Sequence, residues 1–72
     1  MTYNGFTILL ERTQCEFWTL NDAGEADEYL RDCYDSTHDG FHKYVVIDMY
    51  DRERAAVDTI EEAQQAIDTL AA

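Results

Sequence analysis

Self-repulsion is the first constraint on this chain. Its 72 residues carry 16 acidic side chains against 5 basic ones, a formal net charge of −11. A compact state must be assembled against that repulsion. Composition decides that it is: apolar residues make up 46% of the sequence, with five tyrosines, three phenylalanines and one tryptophan to anchor a core. Acidic chains that stay disordered lack such residues. At this size only about 60% of the unfolded surface is buried, so a thin core in one domain spanning residues 1–72 is expected. The balance excludes a multidomain enzyme and a basic nucleic-acid binder. No run approaches the roughly 20 apolar residues of a membrane span, and Met1 to Leu10 lacks the positive flank of a signal peptide. A cytoplasmic protein is expected.

Periodicity divides the chain. Phe6, Ile8 and Leu10 recur at period two within a strand expected over Tyr3 to Glu11, with Leu9 marking partial cover of the second face. A second strand is read from Gln14 to Leu20, placing Cys15 and Phe17 on one side and Trp18 and Leu20 on the other. From Asp22 to Asp35 the period becomes helical. Ala23, Ala26, Leu30, Cys33 and Tyr34 share one arc, and Asn21 or Asp22 serves as N-cap. Ser36 to Gly40 reads as loop. Tyr44 to Tyr50 is a third strand, alternating Val45, Ile47 and Met49 against Tyr44, Val46, Asp48 and Tyr50. Arg54 to Val57 is a short fourth. Thr59 and Glu62 have the spacing of a capping box, opening a helix to Leu70 with Ile60, Ala63, Ala66, Ile67 and Leu70 inward. The expected fold class is α+β: a small two-layer sandwich in ββαββα order, an antiparallel sheet of about four strands with two helices on one face.

The expected first helix carries the main functional candidate. Asp22, Glu25, Glu28, Asp32 and Asp35 fall opposite its apolar arc, a stripe about 20 Å long at 1.5 Å per residue. That is one charge per about 5 Å, the same order as the phosphate spacing of one DNA strand, about 3.4 Å. Asp27 thickens the stripe and Tyr29 edges it. Aligned carboxylates at this spacing repel, and Arg31 relieves only part of the cost. A second acidic group, Asp48, Asp51, Glu53 and Asp58, is interleaved with Arg52 and Arg54 and reads as turn residues in surface ion pairs. Asp48 interrupts an apolar run and is expected to face solvent or a partner. Tyr3, Trp18, Tyr44 and Tyr50 lie on or near the expected strands. They read first as core or second-face packing, and second as an aromatic rim shared on the sheet face away from the helices, where aromatics suit a binding surface.

Catalytic chemistry is not expected. There is no phosphate-cradling glycine loop, and His38 and His42 have no nucleophile at a recognisable spacing. Cys15 and Cys33 read first as reduced core thiols and second as a disulfide. With His38 and His42 they make only a distant relative of a zinc-finger set, and no metal or cofactor is assigned.

In size, charge and α+β pattern the chain resembles the small acidic inhibitors that phages and mobile elements use against host defence, anti-CRISPR proteins that mimic DNA among them. The resemblance implies a DNA-mimic inhibitor working by occupancy. Carboxylates would stand in for phosphates in the cleft of a basic nucleic-acid-binding protein, such as a CRISPR effector subunit. The partner-binding residues would be Asp22, Glu25, Asp27, Glu28, Tyr29, Asp32 and Asp35. The chain would touch neither nucleic acid nor membrane and would act as a monomer or weak dimer. The alternative is an acidic domain adapted to high salt, consistent with a single lysine, Lys43, among the basic residues.

Overall fold

The computed structural model describes residues 1–12, 16–32 and 43–72. Within them lie six strands and one helix: β1 (Thr2–Tyr3), β2 (Phe6–Arg12), β3 (Glu16–Leu20), β4 (Ala26–Asp32), β5 (Tyr44–Ile47), β6 (Glu53–Val57) and α1 (Ile60–Ala71). All the pairings are antiparallel. The strand order is β4-β3-β2-β5-β6, with β1 beside β2. The architecture is therefore a sheet-rich domain with one C-terminal helix, not a ββαββα sandwich with two helices.

The correction lies in residues 22–32. The helical arc read there would need to bury Ala26 and Leu30, yet both are exposed on β4. Two forces favour the strand. Carboxylates spaced for a helical stripe repel, and β3 offers an unpaired edge whose backbone groups must find partners. Gly24 then stands at φ +80, outside right-handed helical space. Asn21 does cap, but it caps a turn. Its Oδ1 accepts from the backbone N–H groups of Ala23 and Glu25, both at 3.0 Å, an Asx geometry available to the same side chain that begins helices. A Cβ on Gly24 would lie 2.9 Å from Ile60 Cδ1. Gly24→Ala therefore puts a Cβ on a left-handed backbone, while the Ile60 contact is relieved by a small shift of that side chain's end. It is expected to cost at least about 1–2 kcal/mol, read from urea unfolding; an unchanged midpoint would contradict this geometry.

Elsewhere local signals hold. The strand expected from Tyr3 is split by Asn4 and Gly5, at φ 50 and 84, the paired positive angles of a two-residue hairpin. Thr59 is the N-cap of α1: its Oγ1 accepts from the Glu62 N–H at 3.1 Å and donates to Glu62 Oε1 at 3.3 Å. Ala63 and Ile67 are the buried residues of that helix. Ile60, Ala66 and Leu70, the rest of the expected stripe, are half-buried.

The sheet buries apolar side chains on both faces. Under α1, Ile8, Leu20 and Val46 join Ala63 and Ile67. On the opposite face Leu9, Phe17, Val45 and Ile47 form a second cluster. The alternations hold for Phe6 to Leu10 on β2, for Phe17 against Trp18 and Leu20 on β3 and for Tyr44 to Ile47 on β5. The strand expected to Tyr50, however, ends at Ile47, leaving Asp48, Met49 and Tyr50 in the turn. Among the aromatics the core-packing reading holds for Tyr3 and Tyr44, and the alternative of a shared face away from the helices does not. Tyr3 and Tyr44 pack against the helix-side core. Register aligns Tyr44 with Leu10, Leu10 with Trp18, and Trp18 with Tyr29, one row on the helix side. Tyr50 is not on a strand; it lies in the β5–β6 turn.

No helix among the described residues is long and apolar enough to cross a membrane. Cys15, Cys33, His38 and His42 lie outside the described residues, as do Asp35 and the loop expected over Ser36 to Gly40.

Candidate protein-binding surface

Strand β4 is an end strand of the described sheet, and its residues are exposed apart from half-buried Arg31. Asp22 lies in the turn before it and Glu25 ends that turn; Asp27, Glu28, Tyr29 and Asp32 belong to the strand itself. The predicted partner-binding residues are therefore neighbours, but not as a helical stripe. At about 3.3 Å per residue, Asp27 and Asp32 stand roughly 16 Å apart along an extended edge. Their side chains fan toward both faces.

Two irregularities set that fan. Phe17 pairs with Arg31 while Trp18 pairs with Tyr29, so Leu30 is an extra residue; a second shift separates Trp18 from Leu20. At the second shift Thr19 repairs the ladder. Its Oγ1 accepts from the Glu28 N–H at 3.1 Å and donates to the Glu28 carbonyl at 3.3 Å. Bulges of this kind increase local twist and re-aim side chains. Tyr29 is placed against Trp18, ring centroids 5.8 Å apart and edge to face, and the Arg12 guanidinium lies 5.1 Å from the Trp18 ring centre. The Tyr29 hydroxyl donates to Asp32 Oδ1 at 2.7 Å. That bond to a carboxylate raises the phenol's pKa above its ordinary value, with burial adding to the shift.

Arg31 points the other way. Its guanidinium lies 5.5 Å from the Phe17 ring centre and bonds Asp51 Oδ1 at 2.8 Å. Strands β3 and β2 lie between β4 and β5, which a flat sheet would hold about 14 Å apart. The bridge therefore means that the edge strand and the β5–β6 turn curl toward each other over the second apolar cluster. Sequence reasoning missed this link, because nothing in a local pattern joins positions 20 residues apart.

The turn itself is organised by Asp48. Its Oδ1 accepts from the N–H groups of Tyr50 at 2.9 Å and Arg52 at 3.0 Å, and its Oδ2 faces Arg54 at 3.3 Å. Its carbonyl accepts from the Asp51 N–H at 3.0 Å. Asp51 takes φ 64, a left-handed position that Asp tolerates. The expectation that Asp48 faces solvent or a partner is corrected: its side chain is 8% exposed and holds the turn together. The reading of this group as turn residues paired with the interleaved arginines holds for Asp48 with Arg54; Asp51 instead pairs with the distant Arg31.

The backbone bond from Arg52 is the main cause holding the Asp48 carboxyl below its ordinary pKa, with Tyr50 and Arg54 acting in the same sense against burial. A depressed carboxyl stabilises the fold above its unfolded pKa, roughly pH 4. That contribution is lost as pH falls through the lower, folded value. Asp48→Asn is expected to flatten this acid limb in thermal unfolding below about pH 4, the unfolded carboxyl value; an unchanged limb would contradict the assignment.

Among the described residues no group of three or more His, Cys, Asp and Glu side chains is arranged to hold a metal ion. No family model matches the chain, and comparison with curated proteins and with solved structures likewise finds no significant match.

Proposed function

We propose that this chain acts by binding, presenting its acidic edge to a basic nucleic-acid-binding protein of the kind found in host defence complexes and blocking that protein's cleft. The observation that carries the reading is the state of the charge at β4. Asp22, Glu25, Asp27, Glu28 and Asp32 are all exposed, and Arg31, the one cation between Asn21 and Asp32, is engaged by Asp51. The edge therefore projects negative charge with little local compensation. A surface of this sign is repelled by phosphates and attracted to the lysines and arginines that bind them. Charged side chains along a sheet edge also discourage pairing with a second copy. Occupancy of a cleft needs no cofactor and no bond making.

Affinity capture with the folded chain at about 0.15 M salt, a Debye length near 8 Å, tests the reading. A basic DNA- or RNA-processing protein is expected to be retained, then released by competing duplex DNA and by rising salt. Retention unaffected by DNA, or none by a folded bait, would remove the proposal. The chain is also expected to be folded at about 0.1 M salt, by circular dichroism; folding only at molar salt, where charges are screened within about 3 Å, would mark salt adaptation instead.

A further inference from the structure

We propose that Met49 and Tyr50, at the tip of the β5–β6 turn, are the apolar anchor of this interface and seat in an apolar socket beside the cations of the basic partner. The inference rests on the acidic-edge reading and adds the chemistry of the partner's pocket.

Met49 is 77% exposed and Tyr50 72%, the highest values among the exposed large apolar residues of the described chain, where Tyr29 and Leu30 reach 48% and 45%. A chain with so little core to spend leaves two adjacent large side chains in water. They are held there: the hydrogen bonds of Asp48 fix the backbone on both sides of them. The Arg52 guanidinium lies 5.8 Å from the Tyr50 ring centre. Fixing a binding element before contact lowers the ordering cost of association, and tyrosine and methionine are enriched at such contacts.

The two aspartates of the turn are neutralised by ion pairs. Asp48 meets Arg54 and Asp51 meets Arg31, so a partner can cover these two carboxylates without leaving either unpaired, while Arg52 stays against the Tyr50 ring. The Arg31–Asp51 bridge also ties the tip to β4, placing the apolar anchor beside the carboxylates. The tip cannot suffice for self-association. Two side chains supply no more than about 400 Å², against about 800 Å² per partner in a stable interface, and a second copy would bring the same −11 charge. The fit is to a larger, basic surface containing a socket.

Two synthetic peptides with the same number of arginines test this, one spaced by glycine alone and one with some glycines replaced by leucine. Binding is followed by titration calorimetry on the full chain and on the Met49→Ser/Tyr50→Ser variant. The leucine peptide is expected to bind the natural sequence at least about tenfold tighter. That preference should vanish in the variant while arginine–glycine binding persists. Equal affinity for the two peptides, or a preference surviving in the variant, would overturn the anchor and leave the acidic edge standing. Binding of neither peptide to the folded chain would overturn both.

Discussion

Ile67→Ala is expected to leave a large part of the chain unfolded at 37 °C. Ile67 is fully buried among Ile8, Leu20, Val46 and Ala63, in the cluster where α1 closes one face of the sheet. Truncating a buried isoleucine costs about 2–5 kcal/mol, because the cavity collapses only in part. A chain of this length has roughly 4–11 kcal/mol to lose, and self-repulsion places this one toward the low end. With a urea slope of about 1 kcal/mol per molar, the midpoint should fall by about 2 M or more. Gln65→Ala on the exposed side of the same helix should stay within about 0.5 kcal/mol. Equal shifts for the two variants would mean that α1 does not pack as described.

Reversing charge at Asp27→Lys and Glu28→Lys together is expected to weaken binding to a basic partner by at least about a hundredfold. Both side chains are exposed on β4. Reversal removes two attractions and replaces them with like-charge contacts, which cost several kcal/mol across an interface. The fold should survive and gain slightly in stability, since the change relieves repulsion in a chain of net charge −11. Lysine on a sheet edge is also well tolerated. The arginine–glycine peptide supplies the first readout, and circular dichroism confirms folding. Glu61→Lys, in the first turn of α1, is the control, with a small effect. A folded double variant that binds as tightly as the natural sequence would disprove the role of this edge.

How far sequence reasoning reached follows from the range of each interaction. Alternation in Phe6 to Leu10 and in Tyr44 to Ile47 is read at spacing two, and both faces came out as expected because both are covered. Thr59 and Glu62 are three residues apart, within reach of one helical turn. The hairpin at Asn4-Gly5 is just as legible: that dipeptide, with apolar residues following, is a strong short-range turn signal, yet the strand expected over Tyr3 to Glu11 runs through it. The seven candidate residues were named for a helical stripe; all but Asp35, which lies outside the described residues, line or adjoin one strand edge instead.

Residues 22–32 show where local reasoning ends. Their pattern fits a helix at period 3.6, and a chain considered alone has no competing partner for their backbone. In the folded protein β3 is that partner, and pairing satisfies backbone groups that repelling carboxylates would otherwise strain to hold in a helix. The sequence by itself determined the acidity, the alternating strands and the capped final helix, all set by composition or by neighbours within one turn. Only the tertiary structure decided that the acidic segment is an edge strand, that Asp48 organises a turn, and that Arg31 joins that turn to the edge. Each of these depends on groups brought together by sheet pairing and curvature, which residues close in sequence cannot encode alone.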